Sequence, residues 1–397
     1  MQLYPADAEQ KLAFDLVRRR LEGHAQSVLG RERLEAMQPV ASRPQVERLL
    51  WRTAELQEAL RTDDPIPLAP LPDVRDALRR AQPKDATLDG EALADVGRVL
   101  GTMRRVDGYF RSRRETYPEV ATLAADIEPQ RELEEHVRRI VDDRGTVRDD
   151  ASPELRRITQ AITNAQGQLR AALMRALRDA ASEGYAAEEQ PTIRNGRAVI
   201  PVRAEAKRKV QGFVHDVSGT GQTVYIEPAA VLDLNNEVRE LELERGREVQ
   251  RLLQALTQHV RSRLPDLRTG LDVLARIDAL QARARLANEL DALVPDLNDE
   301  GTVRIVRGRN PALLIHFRRE VQSEGGPDEP RTVVPLDLEL SDERRTLIIT
   351  GPNAGGKSVA MKTTGLLCLM VACGLPVPAA PSRRTPPSTA KPSPTSA

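Results

Sequence analysis

Two helical patterns of about 30 residues each, separated by a stretch with strand periodicity, constrain this chain more than any other feature. The first opens at Ser152, a good N-cap, with Pro153 suited to the first helical position. Leu155, Ile158, Ile162, Ala165, Leu169, Ala172 and Ala176 then recur at three-four spacing, which predicts one long helix with a single apolar seam. The second pattern begins near Leu234 and carries Val238, Leu241, Arg245, Val249, Leu252, Leu256 and Val260 until Pro265 stops it. At 1.5 Å per residue each helix would reach about 45 Å, and the matched lengths predict an antiparallel pair of arms.

Between the arms the period shortens to that of strands, at Ala198–Val202, Val210–Val217 and Thr223–Ile226, with a turn over Ser218–Gly221. A small β-module capping the arms is expected. Arg194, Arg197, Arg203, Lys207, Arg208 and Lys209 cluster around its first strand, opposed in that stretch only by Glu205. The chain as a whole balances 59 basic against 59 acidic residues, which excludes a general polyanion-binding surface. Any nucleic-acid contact must come from a local patch, and these six residues are the candidates for contacts to a phosphate backbone. The competing reading is a merely solvated face. His215 and Asp216 are neighbours on a strand and point to opposite faces, so they do not form an acid–base pair.

With 30% charged and 3% aromatic residues, the composition is that of a mainly helical protein. Residues 1–125 read as helices of ordinary length broken at Pro39, at Pro65, Pro67, Pro70 and Pro72, and at Pro118, with no chemistry announced; His24 and Trp51 read as filler. Cys368 and Cys373 are five apart, on different helix faces, and make no metal-ligand pattern. No signal peptide is visible and no stretch reaches the roughly 18 apolar residues of a membrane span, so a soluble cytoplasmic protein is expected.

The second chemical signal is Leu347-Ile348-Ile349-Thr350-Gly351-Pro352-Asn353-Ala354-Gly355-Gly356-Lys357-Ser358, a β-branched apolar run feeding G-x-x-x-x-G-K-S. Such a loop turns backbone N–H groups toward a β-phosphate; Lys357 would supply a point charge and the Ser358 hydroxyl a magnesium ligand, which makes ATP and Mg2+ the expected cofactors. The eight residues Gly351 to Ser358 are the candidate nucleotide site. Hydrolysis in such folds needs an acidic strand that holds magnesium and a carboxylate that orients water, and after Glu343 the chain has no Asp or Glu. Strands are expected at Val303–Val306, Leu313–Phe317, Val333–Leu340 and Leu347–Thr350. Residues 359–375 are expected to expose Leu and Met for want of covering strands, and so to self-associate. The expected divisions are a helical core over 1–125, arms and return helices over 126–298 with the β-clamp at about 190–230, an incomplete phosphate-loop domain over 299–377, and a disordered Pro/Ser/Thr/Ala tail over 378–397.

This order of parts resembles the MutS family, and is most similar to its second bacterial branch, MutS-two. The resemblance rests on Gly196–Val202, Val214–Ser218, Gly221–Pro228, Leu234-Asn235-Asn236, Val334–Asp337, the loop Gly351–Ser358 and Gly374–Ala379, in order over residues 1–379. It implies a helical core with antiparallel arms and a clamp, followed by the first part of an α/β phosphate-loop domain of the ATP-binding-cassette type. It further implies a homodimeric ATPase closing on branched or mismatched DNA, in repair and recombination control, or on stalled ribosomes and their rRNA, with no membrane role. Arg309-Asn310-Pro311 departs from the family's Arg-His-Pro. The acidic magnesium strand, the segment donated across the dimer and the nuclease module called Smr are not found, so a truncated or frameshifted form without hydrolysis is expected. The alternative is a non-enzymatic clamp or scaffold that binds nucleic acid without turnover.

Overall fold

The computed structural model describes residues 4–5, 7–69, 71–322, 331–352 and 356–381. In chain order the first helices are α1 (Ala8–Leu12), α2 (Phe14–Glu22), α3 (Val28–Glu35), α4 (Arg43–Thr62), α5 (Arg75–Arg80), α6 (Gly90–Ser112), α7 (Pro118–Ala124) and α8 (Arg131–Ile140). Next come α9 (Pro153–Ser182), the strands β1 (Thr192–Arg194), β2 (Arg197–Arg203), β3 (Gly212–Val217) and β4 (Thr223–Pro228), and α10 (Leu232–Ser262). The remainder is α11 (Leu264–Leu290), β5 (Val303–Gly308), α12 (Pro311–Gln322), β6 (Leu336–Leu340) and α13 (Lys357–Ala372). The fold is mainly helical with small antiparallel sheets, and among the described residues no helix is long and apolar enough to cross a membrane. Two compact units result, one of Met1–Arg75, Arg98–Arg131 and Arg263–Ala397, the other of Asp76–Gly97 and Glu132–Ser262.

The unit that includes Glu132–Ser262 contains the two long helices read from the sequence. Ser152 caps α9 through a 3.0 Å bond accepted by its Oγ from the Leu155 N–H, and donates to Glu248 of α10 at 2.7 Å. Arg157 meets Glu244 at 2.9 Å, while at the other end of α9 Leu169, Leu173 and Leu177 share a core with Val231, Leu234 and Val238. The pair is therefore antiparallel. Leu173 and Leu177, which the sequence reading left out of the seam, carry it up to the β-module by packing on Ile200, Val202, Val224 and Ile226.

That module is one curled antiparallel sheet in the order β1-β2-β4-β3. β1 was not anticipated. It pairs with β2 through an Asn195-Gly196 turn whose φ angles of 52° and 73° are those that favour this dipeptide in a two-residue hairpin. Ile200 and Val202 of β2 lie opposite Ile226 and Val224 of β4, which puts four β-branched side chains on the face that covers α9.

In the other unit α11 is buried along most of its length, and its buried residues include the polar Asp278, Gln281 and Arg283 beside Leu267, Leu274, Ile277 and Leu290. Phe14, Val17 and Leu21 of α2 and Leu286 and Leu290 of α11 form one core with Leu366, Leu367, Leu369 and Met370 of α13. Those α13 residues were expected to lie exposed. Instead they are at most 5% exposed, because α1, α2 and α12 cover them, and among the large apolar side chains of that helix only Val359 and Met361 face water.

Three strand expectations also change. Leu313–Phe317 lies inside α12, since Asn310 accepts a 3.1 Å bond from the Leu313 N–H and Pro311 follows it, a helix start signal stronger than the apolar run. The strand expected over Val333–Leu340 shortens to β6, which pairs antiparallel with β5. Leu347–Thr350 forms no strand: no described segment pairs with its backbone, and Leu347 and Ile348 are 51% and 80% exposed. Finally, Pro378, Ala379 and Ala380 are held by bonds to Arg309, Val377 and Val306, while the tail expected over the remaining residues lies, from 382 on, outside the described residues.

Candidate nucleic-acid interface and phosphate loop

The six basic residues of the β-module separate into two groups once the sheet curls. Hairpin β1–β2 brings its turn onto β3, where Asn195 donates to the His215 carbonyl at 3.0 Å. Arg194 lies over the Tyr225 ring at 4.3 Å and 3.5 Å from Asp216. Arg197 donates to Glu227 at 3.1 Å. Glu227 is buried, and it also accepts from Asn235 at 2.7 Å and pairs with His215 at 2.5 Å. Asn235 in turn makes two bonds with the Ala198 backbone, so the network fastens the first turn of α10 to β2 and β4. Glu205 is thus not the sole opposing charge: Asp216 and Glu227 arrive from other strands and occupy Arg194 and Arg197. This is the reason the local sequence excess overstated the free charge.

The other four behave differently. Arg203 donates to the Ala186 carbonyl at 3.3 Å yet stays exposed. Lys207, Arg208 and Lys209 follow the short 3-10 turn Ala204–Ala206, and all three are exposed, with Lys209 5.5 Å from the centre of the Tyr185 ring. None of the four makes an ion pair among the described residues. Arg203 shares a surface hollow with Glu188 and Glu189, so the excess of positive charge is clearest at Lys207, Arg208 and Lys209, which lead into β3.

At the phosphate loop, Gly351 and Gly356 have φ angles of 145° and 77°, conformations that call for glycine, and both face open space. Gly356 precedes the first residue of α13, so the free N–H groups of that helix begin at Lys357 and Ser358. The Lys357 ammonium donates to the carbonyls of Gly351 and of Pro352, the latter at 2.9 Å. Asn353, Ala354 and Gly355 lie outside the described residues. The open glycines, the helix N-terminus and Lys357 fit a polyphosphate. For magnesium the fit is partial: Ser358 is in place, but the described residues hold no cluster of three His, Cys, Asp or Glu able to bind a metal.

Residues behind the loop were not legible as functional. Asn310, the departure from Arg-His-Pro, caps α12 and donates to Thr363 of α13 at 2.9 Å. Arg283 of α11 is buried and donates to the Cys373 and Gly374 carbonyls at 2.9 and 3.2 Å, closing the far end of α13; burial pushes its guanidinium down to about 10. Nothing in the sequence singled it out, since α11 also carries Arg268, Arg276 and Arg285.

No protein-family model matches the chain. Proteins named Endonuclease MutS2 do match. That of Pelotomaculum thermopropionicum is 37% identical over 377 residues, 95% of this chain and 46% of the relative. That of Thermomicrobium roseum is 36% identical over 375 residues, 93% and 46% respectively, and that of a Geobacillus strain 35% over 371, 93% and 45%. The chain spans about half the length of the curated relatives it matches. These matches place the chain in the MutS class. Within that class, identity sustained over nearly the whole chain gives the particular branch: the chain belongs to the MutS2 family.

Proposed function

We propose that this chain supplies the arms, clamp and nucleotide loop of a nucleic-acid-binding ATP switch. Arg203, Lys207, Arg208 and Lys209 contact the phosphate backbone, whereas Arg194 and Arg197 hold the module together from within. The observation that carries this reading is the set of four exposed cations that make no ion pair among the described residues, at the end of the paired arms of a chain with balanced charge. The kinship with proteins named Endonuclease MutS2 supports DNA as the first ligand to test, and ribosomes are tested beside it.

The loop Gly351–Ser358 would hold ATP by its phosphates. Bound Mg2+ would neutralise β- and γ-phosphate charge, with Ser358 as the protein's ligand. Lys357 must first leave the Gly351 and Pro352 carbonyls. No carboxylate follows Glu343, so binding without turnover is the expected behaviour of the isolated chain, and nucleotide acts through occupancy. The nuclease activity in the relatives' names is not assigned to any residue here.

The test is equilibrium binding of branched DNA and of ribosomes over a salt series. Log affinity should fall with log salt by about 0.9 for each phosphate neutralised on duplex DNA, and replacing Arg203, Lys207, Arg208 and Lys209 together by Ala should flatten that slope by about 3 to 4. Unchanged slopes with intact helicity would remove the interface.

A further inference from the structure

The chain has four phenylalanines, and one of them is placed against the ordinary rule. Phe14 and Phe110 are fully buried and Phe317 is half-buried, but Phe213 is 61% exposed. It lies on β3, the edge strand of the module, four residues after Lys209. Ile193, Val214 and Val217, on the hairpin and on the strand it touches, are also at least half exposed. Phe213 stands opposite Glu227 across the sheet, and Glu227 is already taken by Arg197, His215 and Asn235. An aromatic face beside a basic turn is thus held out on a rigid strand.

We infer that Phe213 is the residue through which the module reads open bases, stacking on an unstacked base where the nucleic acid offers one. This rests on the phosphate-contact reading above and narrows it. A second copy of the chain is the natural rival for an exposed edge strand. It would, however, bring together two copies of a surface whose Arg203, Lys207, Arg208 and Lys209 are all exposed, and like charge on both partners opposes association. A regular duplex offers phosphates but hides its base faces. Only a nucleic acid with open bases presents both the anionic backbone that the turn fits and the π-face that an exposed ring fits. Stacking of this sort tolerates any base sequence, so a preference for structure over sequence follows.

The experiment compares full-length wild type, Phe213→Ala, Phe213→Trp and the fourfold basic variant on two ligands: a perfect DNA duplex, and the same duplex with a short single-stranded gap carrying 2-aminopurine. Phe213→Ala should leave duplex affinity within about twofold and lower gapped-DNA affinity by about 5- to 150-fold, the range found when a base-stacking aromatic is removed. It should also abolish the 2-aminopurine response, and Phe213→Trp should restore both. The fourfold variant should weaken both ligands. Equal loss on the two ligands for Phe213→Ala, or no loss on gapped DNA while the fourfold variant weakens both, would overturn the stacking role and leave the phosphate interface standing. Failure of the fourfold variant to weaken either ligand would overturn the phosphate reading itself. Sedimentation showing a wild-type dimer that Phe213→Ala dissociates would assign the strand to self-association instead. Because Phe213 is exposed, unchanged helicity and melting of the variants are expected and are checked alongside.

Discussion

Glu55 accepts bonds from two N–H groups at the start of α7, those of Glu119 at 3.0 Å and Val120 at 2.8 Å. Those bonds favour the carboxylate, yet burial opposes it more strongly, and the group is pushed up to about 7. The folded protein therefore holds this proton more tightly than the unfolded chain, whose carboxyl titrates near 4.5. The contribution to stability is full below about 4.5 and is lost as pH rises through about 7. Glu55→Gln should remove that dependence: the urea midpoint of wild type should fall relative to the variant between pH 5 and pH 8. Parallel curves would show that water reaches Glu55 more freely than its burial implies. Glu227, also buried, is surrounded instead by side chains, those of Arg197, His215 and Asn235.

At the scale of elements, α13 joins the nucleotide loop to the core of its unit. Cys368 is exposed on it and Cys373 is buried, with burial raising the Cys373 thiol to about 11. A thiol reagent should label Cys368 in the native protein and Cys373 only on unfolding. Equal labelling would mean that α13 is not packed as described. Lys357→Ala should abolish ATP binding without altering that labelling pattern, since Lys357 is not part of the core. The arms were legible because periodicity, cap and proline all agreed over 30 residues. α12 was missed although Asn310-Pro311 announced it, because an apolar run of five residues fits strand and helix equally. Leu347–Thr350 has strand composition, but a strand exists only where a neighbour takes its backbone bonds, and a local pattern cannot supply that neighbour. For the candidate interface the six cations stand in the sequence, but only the folded sheet shows that Arg194 and Arg197 pair with Asp216 and Glu227.

At the scale of the whole molecule, a balanced charge and a low lysine content turn the central claim into something that can be mapped. Lysine occurs only at 11, 84, 207, 209, 357, 362 and 391. Lys11, Lys84, Lys207 and Lys209 are all exposed in the free protein, so each starts out open to an acylating reagent. The most direct measurement is the lysine modification pattern of the full chain, by mass spectrometry, with and without gapped DNA. The account predicts protection at Lys207 and Lys209 and none at Lys11 or Lys84. Protection at Lys11 or Lys84 with Lys207 and Lys209 still fully modified would contradict it.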